Sequence, residues 1–363
     1  MKTISTMTSI AGMLVAIAIG VVSTPADAAT IYVANNGVDG PTCGPAKPCR
    51  SISRGLAAAA DGDTIEVGPG LYGDVDADGQ FTSPGDEQAE IGTGCECIVH
   101  VTKVVTLVSR SGATQTLIHP GPGNGSDYSG EGFTSVVLVD APGAVFGQKD
   151  RGFTVTSKAV SAGGGLNGIR VGEEGAGVSI GGNFIAMNRY GIFSSAPEPI
   201  VTDNLIQTNT VGVVLEGGHG ALISGNAVQG NNVGLGLLGN DIVIAGNMVT
   251  GNRALGMTLH GGTGFEVSGN SILGNGLGVL VQTMSTAVVN ANNIFGNDIA
   301  GTPTPHAGVV SNSMFALDAG GNHWGATLAN AFAGDDAYAL GAGAVGVSPI
   351  AGARFNIGIA PMK

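Results

Sequence analysis

The sequence predicts an all-β fold, a single-domain right-handed parallel β-helix of about 22 residues per coil with a short N-terminal capping helix. Three observations predict it. Asn recurs in phase through the centre of the chain, and each interval holds three short apolar pieces punctuated by Gly or small polar residues. Gly supplies 64 of 363 residues with only 15 Pro and no G-x-y period, which describes a chain that turns often but is not collagen-like.

Six blocks align without gaps: GGNFIAMN, TDNLIQTN, SGNAVQGN, AGNMVTGN, SGNSILGN and NANNIFGN. Their leading residues are Asn183, Asn204, Asn226, Asn247, Asn270 and Asn292, spaced by 21, 22, 21, 23 and 22. A second set follows five residues later: Asn188, Asn209, Asn231, Asn252, Asn275 and Asn297. A Gly-apolar step comes next, as in Gly212-Val213 and Gly234-Leu235, and Gly168-Ile169-Arg170-Val171 fits one coil earlier.

Pieces such as Ala221-Leu222-Ile223, Ala227-Val228 and Leu235-Gly236-Leu237 are too short for helices, and alternation turns one face of each inward. Three strands and three bends then make one coil, and stacking aligns equivalent side chains into ladders. Asn suits the bends because it tolerates the left-handed region and its amide can bond to the next Asn in the stack. Gly is expected at the remaining positive-φ positions. Rival repeats fit less well: there is no six-residue period, Gly217-Gly218-His219-Gly220 lacks the Asp of a calcium β-roll, and no leucine-rich phase exists.

Residues 1–28 read as a secretory signal, with Lys2, the apolar run Ile10 to Val22 and the A-x-A site Ala26-Asp27-Ala28. No second long apolar segment follows, so the expectation is a secreted or periplasmic protein with no transmembrane segment after cleavage. Residues 29–125 are expected to hold the N-terminal cap and first coils, 126–300 the repeats, and 301–363 the last coils and a cap, where the Asn phase is lost and Pro303 and Pro305 enter. Ser51 can N-cap a short helix with Ile52, Leu56 and Ala59 on one face, ended by Gly62.

A formal net charge of −13 argues against nucleic acid and anionic membranes as partners, and repels polyuronates unless a cation bridges them. Aromatic residues are 5% of the chain, so stacking platforms for sugars are scarce. Export makes disulfides plausible for Cys43, Cys49, Cys95 and Cys97. Cys43 and Cys49 flank a loop they could close, and Cys95 and Cys97 stand too near each other for an easy bridge. Three connectivities stay open, and Cys95-x-Cys97-x-x-His100 can also be read as metal ligands.

The repeat units resemble the right-handed parallel β-helix repeat family, typified by pectate-lyase-like and periplasmic copper-protein-associated β-helix proteins. The segments Ile31-Tyr32-Val33, Pro48-Cys49-Arg50-Ser51-Ile52, Gly62-Asp63-Thr64-Ile65-Glu66-Val67 and Pro69-Gly70-Leu71-Tyr72 resemble the leader of such exported proteins. Gly321-Asn322-His323-Trp324-Gly325, with Val347-Ser348-Pro349 beyond, resembles their closing motif. The resemblance implies the architecture and an association with carbohydrate; one fold hosts many functions.

The best local motif is Asp74-Val75-Asp76-Ala77-Asp78-Gly79-Gln80, the front half of an oxygen-rich calcium loop. Gly85 stands at the twelfth position where an acid is expected, with Asp86 and Glu87 just after it. Candidate ligands for a structural Ca2+ are thus Asp74, Asp76, Asp78, Gln80, Asp86 and Glu87. Gly218-His219-Gly220 resembles one polygalacturonase motif, but the paired Asp and Arg-x-Lys signatures are missing. Phasing on the Gly-apolar step brings Glu216, His260 and Gln282 into one column with Arg170 nearby, framing but not completing a site. His323 and Trp324 are expected to pack, and Arg189 and Arg253 to sit on exposed bends. No Met/His/Cys cluster suits a soft metal. The function expected is binding or processing of extracellular polysaccharide; the alternative is a non-enzymatic surface or adhesion protein. No catalytic residue and no organic cofactor is assigned.

Overall fold

The computed structural model describes residues 28–74, 86–87, 97–120, 134–157, 166–297, 308–325 and 337–348, with positions 351, 355 and 357. Their strands stack into three parallel sheets of twelve, nine and ten strands. One coil shows the plan: Leu222–Ser224 lies in the first sheet, Ala227–Gln229 in the second and Val233–Leu238 in the third. Each strand pairs with its equivalents one coil away, as Ile223 with Val201 and Ile244, so the chain is a single-domain right-handed parallel β-helix.

The expected alternation decides what is inside. Ile223, Val228 and Leu235 are fully buried, and the stacks Val201-Ile223-Ile244-Val267-Val289 and Ile206-Val228-Val249-Ile272-Ile294 continue them along the axis. Each such side chain contributes about 1.5–3 kcal/mol of burial.

The two bends flanking the second sheet carry the Asn residues, and these form two buried ladders. The Asn226 backbone N–H and Nδ2 both donate to Asn247 Oδ1 at 3.0 Å. Its Nδ2 also donates to the carbonyls of Val201 and Ser224. Its own Oδ1 accepts from the N–H and Nδ2 of Asn204. The second ladder repeats this pattern from Asn188 to Asn297. Every polar atom of a mid-ladder Asn is therefore used, which is what burial demands.

Two conformational expectations need correction. The ladder Asn residues are not left-handed; the residue before each one is. These include Gly225 (φ 67°), Gly230 (φ 62°), Asp203 (φ 56°) and Thr208 (φ 54°). The Gly of the Gly-apolar step has ordinary φ and is required for a different reason. A Cβ on Gly191 or Gly212 would lie 2.5 Å from the carbonyl oxygen of the equivalent Gly one coil on. The ladder also runs further than the repeat predicts. Asn322 of the closing motif accepts from the N–H and Nδ2 of Asn292 at 2.9 and 3.0 Å, extending the first ladder by a coil. Strands continue past it to Val345–Gly346.

At the other end the expected helix forms over Ile52–Ala58, with Ser51 Oγ accepting from Arg54 N–H. It sits on the first coil so closely that a Cβ on Gly55 would meet Val33 Cγ2 at 2.7 Å. Ala59 caps its C-terminus and Gly62 (φ 91°) makes the turn beyond. Lys103 Nζ closes the C-terminus by donating to the carbonyls of Leu56, Ala57 and Ala59. Glu87 closes the N-terminus: its carboxylate accepts from Ile52 N–H at 2.6 Å and from Ser53 N–H and Oγ at 2.7 and 2.8 Å. Cys43 and Cys49 form a disulfide that closes their loop. Cys97 is also disulfide-bonded, which removes it as a thiolate ligand; Cys95 lies outside the described residues.

Two outcomes follow. Asn226→Ala strands the Asn204 donors and two carbonyls, each such group costing about 1–3 kcal/mol. Urea unfolding should show a loss of about 3 kcal/mol or more, whereas Asn240→Ala, on the solvent side of another bend, should cost about 0.5 kcal/mol. Burial outweighs its hydrogen bonds and pushes Glu87 from 4.5 up to about 7. The folded state thus favours the protonated acid, a contribution full below pH 4.5 and lost as pH rises through 7. In chelator, stability should fall across that window more steeply for the natural protein than for Glu87→Gln; parallel profiles would contradict this.

Candidate functional site

The third sheet has the longest strands of the repeat, reaching six residues in Val211–Glu216, Val233–Leu238 and Leu255–His260. Its inward residues, such as Ile169, Val171, Val137 and Val139, join the core. Its outward residues fall into columns fixed by the pairing register. One column runs His100, Leu138, Arg170, Phe193, Val214, Gly236 and Thr258. A second, two residues further along each strand, contains Asp140, Glu216, Leu238 and His260.

The expected column of Glu216, His260 and Gln282 exists, but it is not a reactive cluster. Leu238 is paired between Glu216 and His260, and both polar residues are exposed. Gln282 Nε2 donates to Thr258 Oγ1 at 3.2 Å. Arg170 belongs to the neighbouring column, in register with Phe193.

The chemistry concentrates instead at the first coils of this face. Thr134 Oγ1, Ser135 Oγ, Asp140 Oδ1 and Arg170 Nε are buried atoms with no hydrogen-bond partner. Asp140 lies one coil from His100 and one coil from Arg170, offset by two residues from each. That diagonal places Cβ atoms roughly 7–8 Å apart, within reach of long side chains. A carboxylate, a guanidinium and an imidazole thus share one small region. Just above it, the Tyr190 and Phe193 rings stack with centroids 5.9 Å apart, and the exposed Arg189 lies over Tyr190 at 5.0 Å.

Sequence reasoning missed Asp140, Ser135 and the Tyr190–Phe193 pair. Strand Ser135–Val139 precedes the first ladder Asn, so no repeat phase anchors its register. Tyr190 and Phe193 could have been found by extending the Gly-apolar phase outward by one residue on each side.

Other expected positions resolve as follows. Asp74, Asp86 and Glu87 are buried, whereas Asp76, Asp78 and Gln80 lie outside the described residues. The Glu87 N–H donates to the Gly73 carbonyl at 3.1 Å, bringing the two ends of the acidic segment together. Glu87 itself is spent on the helix. His219 Nδ1 accepts from the Asn240 backbone N–H at 3.1 Å, so His219 serves a bend. Arg253, like Arg189, is exposed. Trp324 is buried in the core and His323 packs edge-on against Phe295, the packing role expected of both.

Residues 149–316, less than half of the chain, match the family described as periplasmic copper-binding protein (NosD). Copper does not fit the described residues: they hold no group of three His, Cys, Asp or Glu side chains placed for a metal. Both Cys43 and Cys97 are in disulfides, and Met187, Met284 and Met314 are exposed. No curated protein matches the chain. Among solved structures, the A-module of Azotobacter vinelandii mannuronan C-5 epimerase AlgE6 superposes with a TM-score of 0.53 at 15% identity, covering 81% of this chain and 87% of its own. XylC in complex with xylose gives 0.54 at 12%, covering 81% and 69%. Tailspike protein 2 of Escherichia coli O157:H7 bacteriophage CAB120 gives 0.53 at 13%, covering 88% and 42%. At these identities the likeness is one of fold. No described helix is long and apolar enough to cross a membrane. The chain is a right-handed parallel β-helix repeat protein whose central coils match the NosD family.

Proposed function

We propose that the protein is a secreted or periplasmic glycan-associated β-helix that holds an extended polysaccharide against the outer face of its third sheet. The observation that carries this reading is the cluster of buried, unpartnered polar atoms at Thr134, Ser135, Asp140 and Arg170 on one end of that face. Such groups cost stability, and they lie on side chains of which Thr134, Asp140 and Arg170 are half-exposed, so a hydroxyl-rich ligand can contact the outer parts of this polar cluster. The similar structures support the class of partner: their names include a mannuronan epimerase module and a xylose complex. The reading of residues 1–28 as a secretory signal supports export. The exposed positions of Glu216 and His260 favour binding over a completed acid–base pair.

A polysaccharide-binding screen tests this directly. Asp140→Ala and Arg170→Ala should each lower affinity at least tenfold, about 1.4 kcal/mol, while leaving the far-UV spectrum of the coils intact. Ser135→Ala should instead raise unfolding stability by about 1 kcal/mol, since it removes a buried hydroxyl with no partner. Binding that survives both Ala variants would move the site off this face and favour the spacer or adhesion reading.

The acidic segment adds a second proposal, a structural Ca2+ held by Asp74, Asp76, Asp78, Gln80 and Asp86. Its support is the D-x-D-x-D-G spacing and the Gly73–Glu87 hydrogen bond that brings Asp86 back beside Asp74. Glu87, already engaged by the helix, is left out of the ligand set. Calcium should raise the melting temperature and chelator lower it; identical melting with both would remove the ion.

A further inference from the structure

We propose that Tyr190, Phe193, Arg189 and Arg170 form a subsite for an anionic sugar ring, one bearing a carboxylate or a sulfate. This inference rests on the reading of the third sheet as a glycan-binding face and specifies the charge of what it takes.

Four observations carry it. The Tyr190 and Phe193 rings are half-buried and stacked, 17° from parallel with centroids 5.9 Å apart, so they form one rigid aromatic block on the outer face. A pyranose can pack its C–H groups against such a block, as other apolar rings do. The chain has only 5% aromatic residues, and this pair is placed on an outer face where the core gains nothing from it. The exposed Arg189 lies over the Tyr190 ring, 5.0 Å from its centroid, which holds its planar fork against the aromatic pair. Arg170 stands one strand below, directly beside Phe193, with a buried Nε that no group satisfies. Among the described residues neither guanidinium is paired with a carboxylate, whereas Arg110 and Arg151 both engage Glu66.

Charge then sets the orientation. The acids of this face, Asp140 and Glu216, occupy the column two residues further along the strands. An anionic substituent is repelled from that side and drawn to the Arg189–Arg170 side, where a guanidinium fork donates two parallel hydrogen bonds to its oxygens. The net charge of −13 does not forbid this. At physiological salt, charges beyond roughly 8 Å are screened, so the local field is set by the two cations, with Asp140 the nearest acid opposing Arg170.

The test uses the full mature protein and calorimetric titration with oligogalacturonate, its fully methyl-esterified counterpart and a sulfated oligosaccharide of equal length. The expected result is affinity at least tenfold tighter for one or both anionic ligands than for the ester, a preference that shrinks as salt rises. Which anionic ligand binds tells carboxylate from sulfate. Arg170→Gln with Arg189→Gln should bring charged and esterified ligands within about twofold of each other. Arg189→Gln alone, at an exposed site that cannot unfold the coil, should remove part of the preference. Tyr190→Ala should weaken all ligands alike. Equal wild-type affinity for charged and esterified ligands, or a preference that survives the double substitution, overturns the subsite but leaves glycan binding standing. No binding to any of the three overturns the subsite, and the broader polysaccharide screen then decides separately whether the face binds glycan at all.

Discussion

One interaction underlies the structure: an Asn side-chain oxygen that accepts both the backbone N–H and the amide Nδ2 of the Asn one coil before it. At Asn204 and Asn226 both contacts are 3.0 Å. The same amide reaches back to a strand carbonyl, so each bend is tied to the coils on both sides. A buried bend otherwise exposes backbone groups that nothing satisfies. The ladder answers that need with one residue type, repeated, and it ties the bend geometry of successive coils together.

Fixed register is what gives the outer surface meaning. Because each coil advances by one strand spacing without slippage, outward side chains form columns, and residues distant in sequence become neighbours. His100, Asp140 and Arg170 come onto three successive coils of one face in this way. Two strict ladders flank the second sheet. The bends from the third sheet back to the first are looser and more polar: His219, Asn240 and Thr263 join there in an exposed chain of hydrogen bonds. Variation is thus admitted along the edge of the third sheet, the same sheet whose outer face holds the unpartnered groups.

Most of the architecture is legible in the sequence because the ladder is written in it. The phase of Asn183 to Asn297 and the Ser51 cap both survive in the structure. The conformational roles were harder to read, since φ belongs to the residue before Asn and the Gly of the Gly-apolar step is chosen by a carbonyl one coil away. Neither fact is local to the residue concerned. Asn322 escaped because the chain takes a longer path between Asn292 and its ladder partner, which breaks the period without breaking the stack. The site was least legible. Asp140 and Ser135 lie before the repeat settles, and Glu87, in an acidic run that reads as metal ligands, is taken by the first turn of a helix far back in the chain.

Amide hydrogen exchange measured residue by residue tests the central claim most directly. If the ladders hold the coils, the backbone amides of Asn204, Asn226 and Asn247, each donated to a side-chain oxygen, should exchange as slowly as those of Ile223 and Val228 in the strands beside them. The exposed amides of His219 and Gly220 in the looser bend, bonded only to carbonyls of the bends, should exchange faster. Ladder amides that exchanged at the rate of that bend would contradict the account, because the stack would then be held by its strands and core alone.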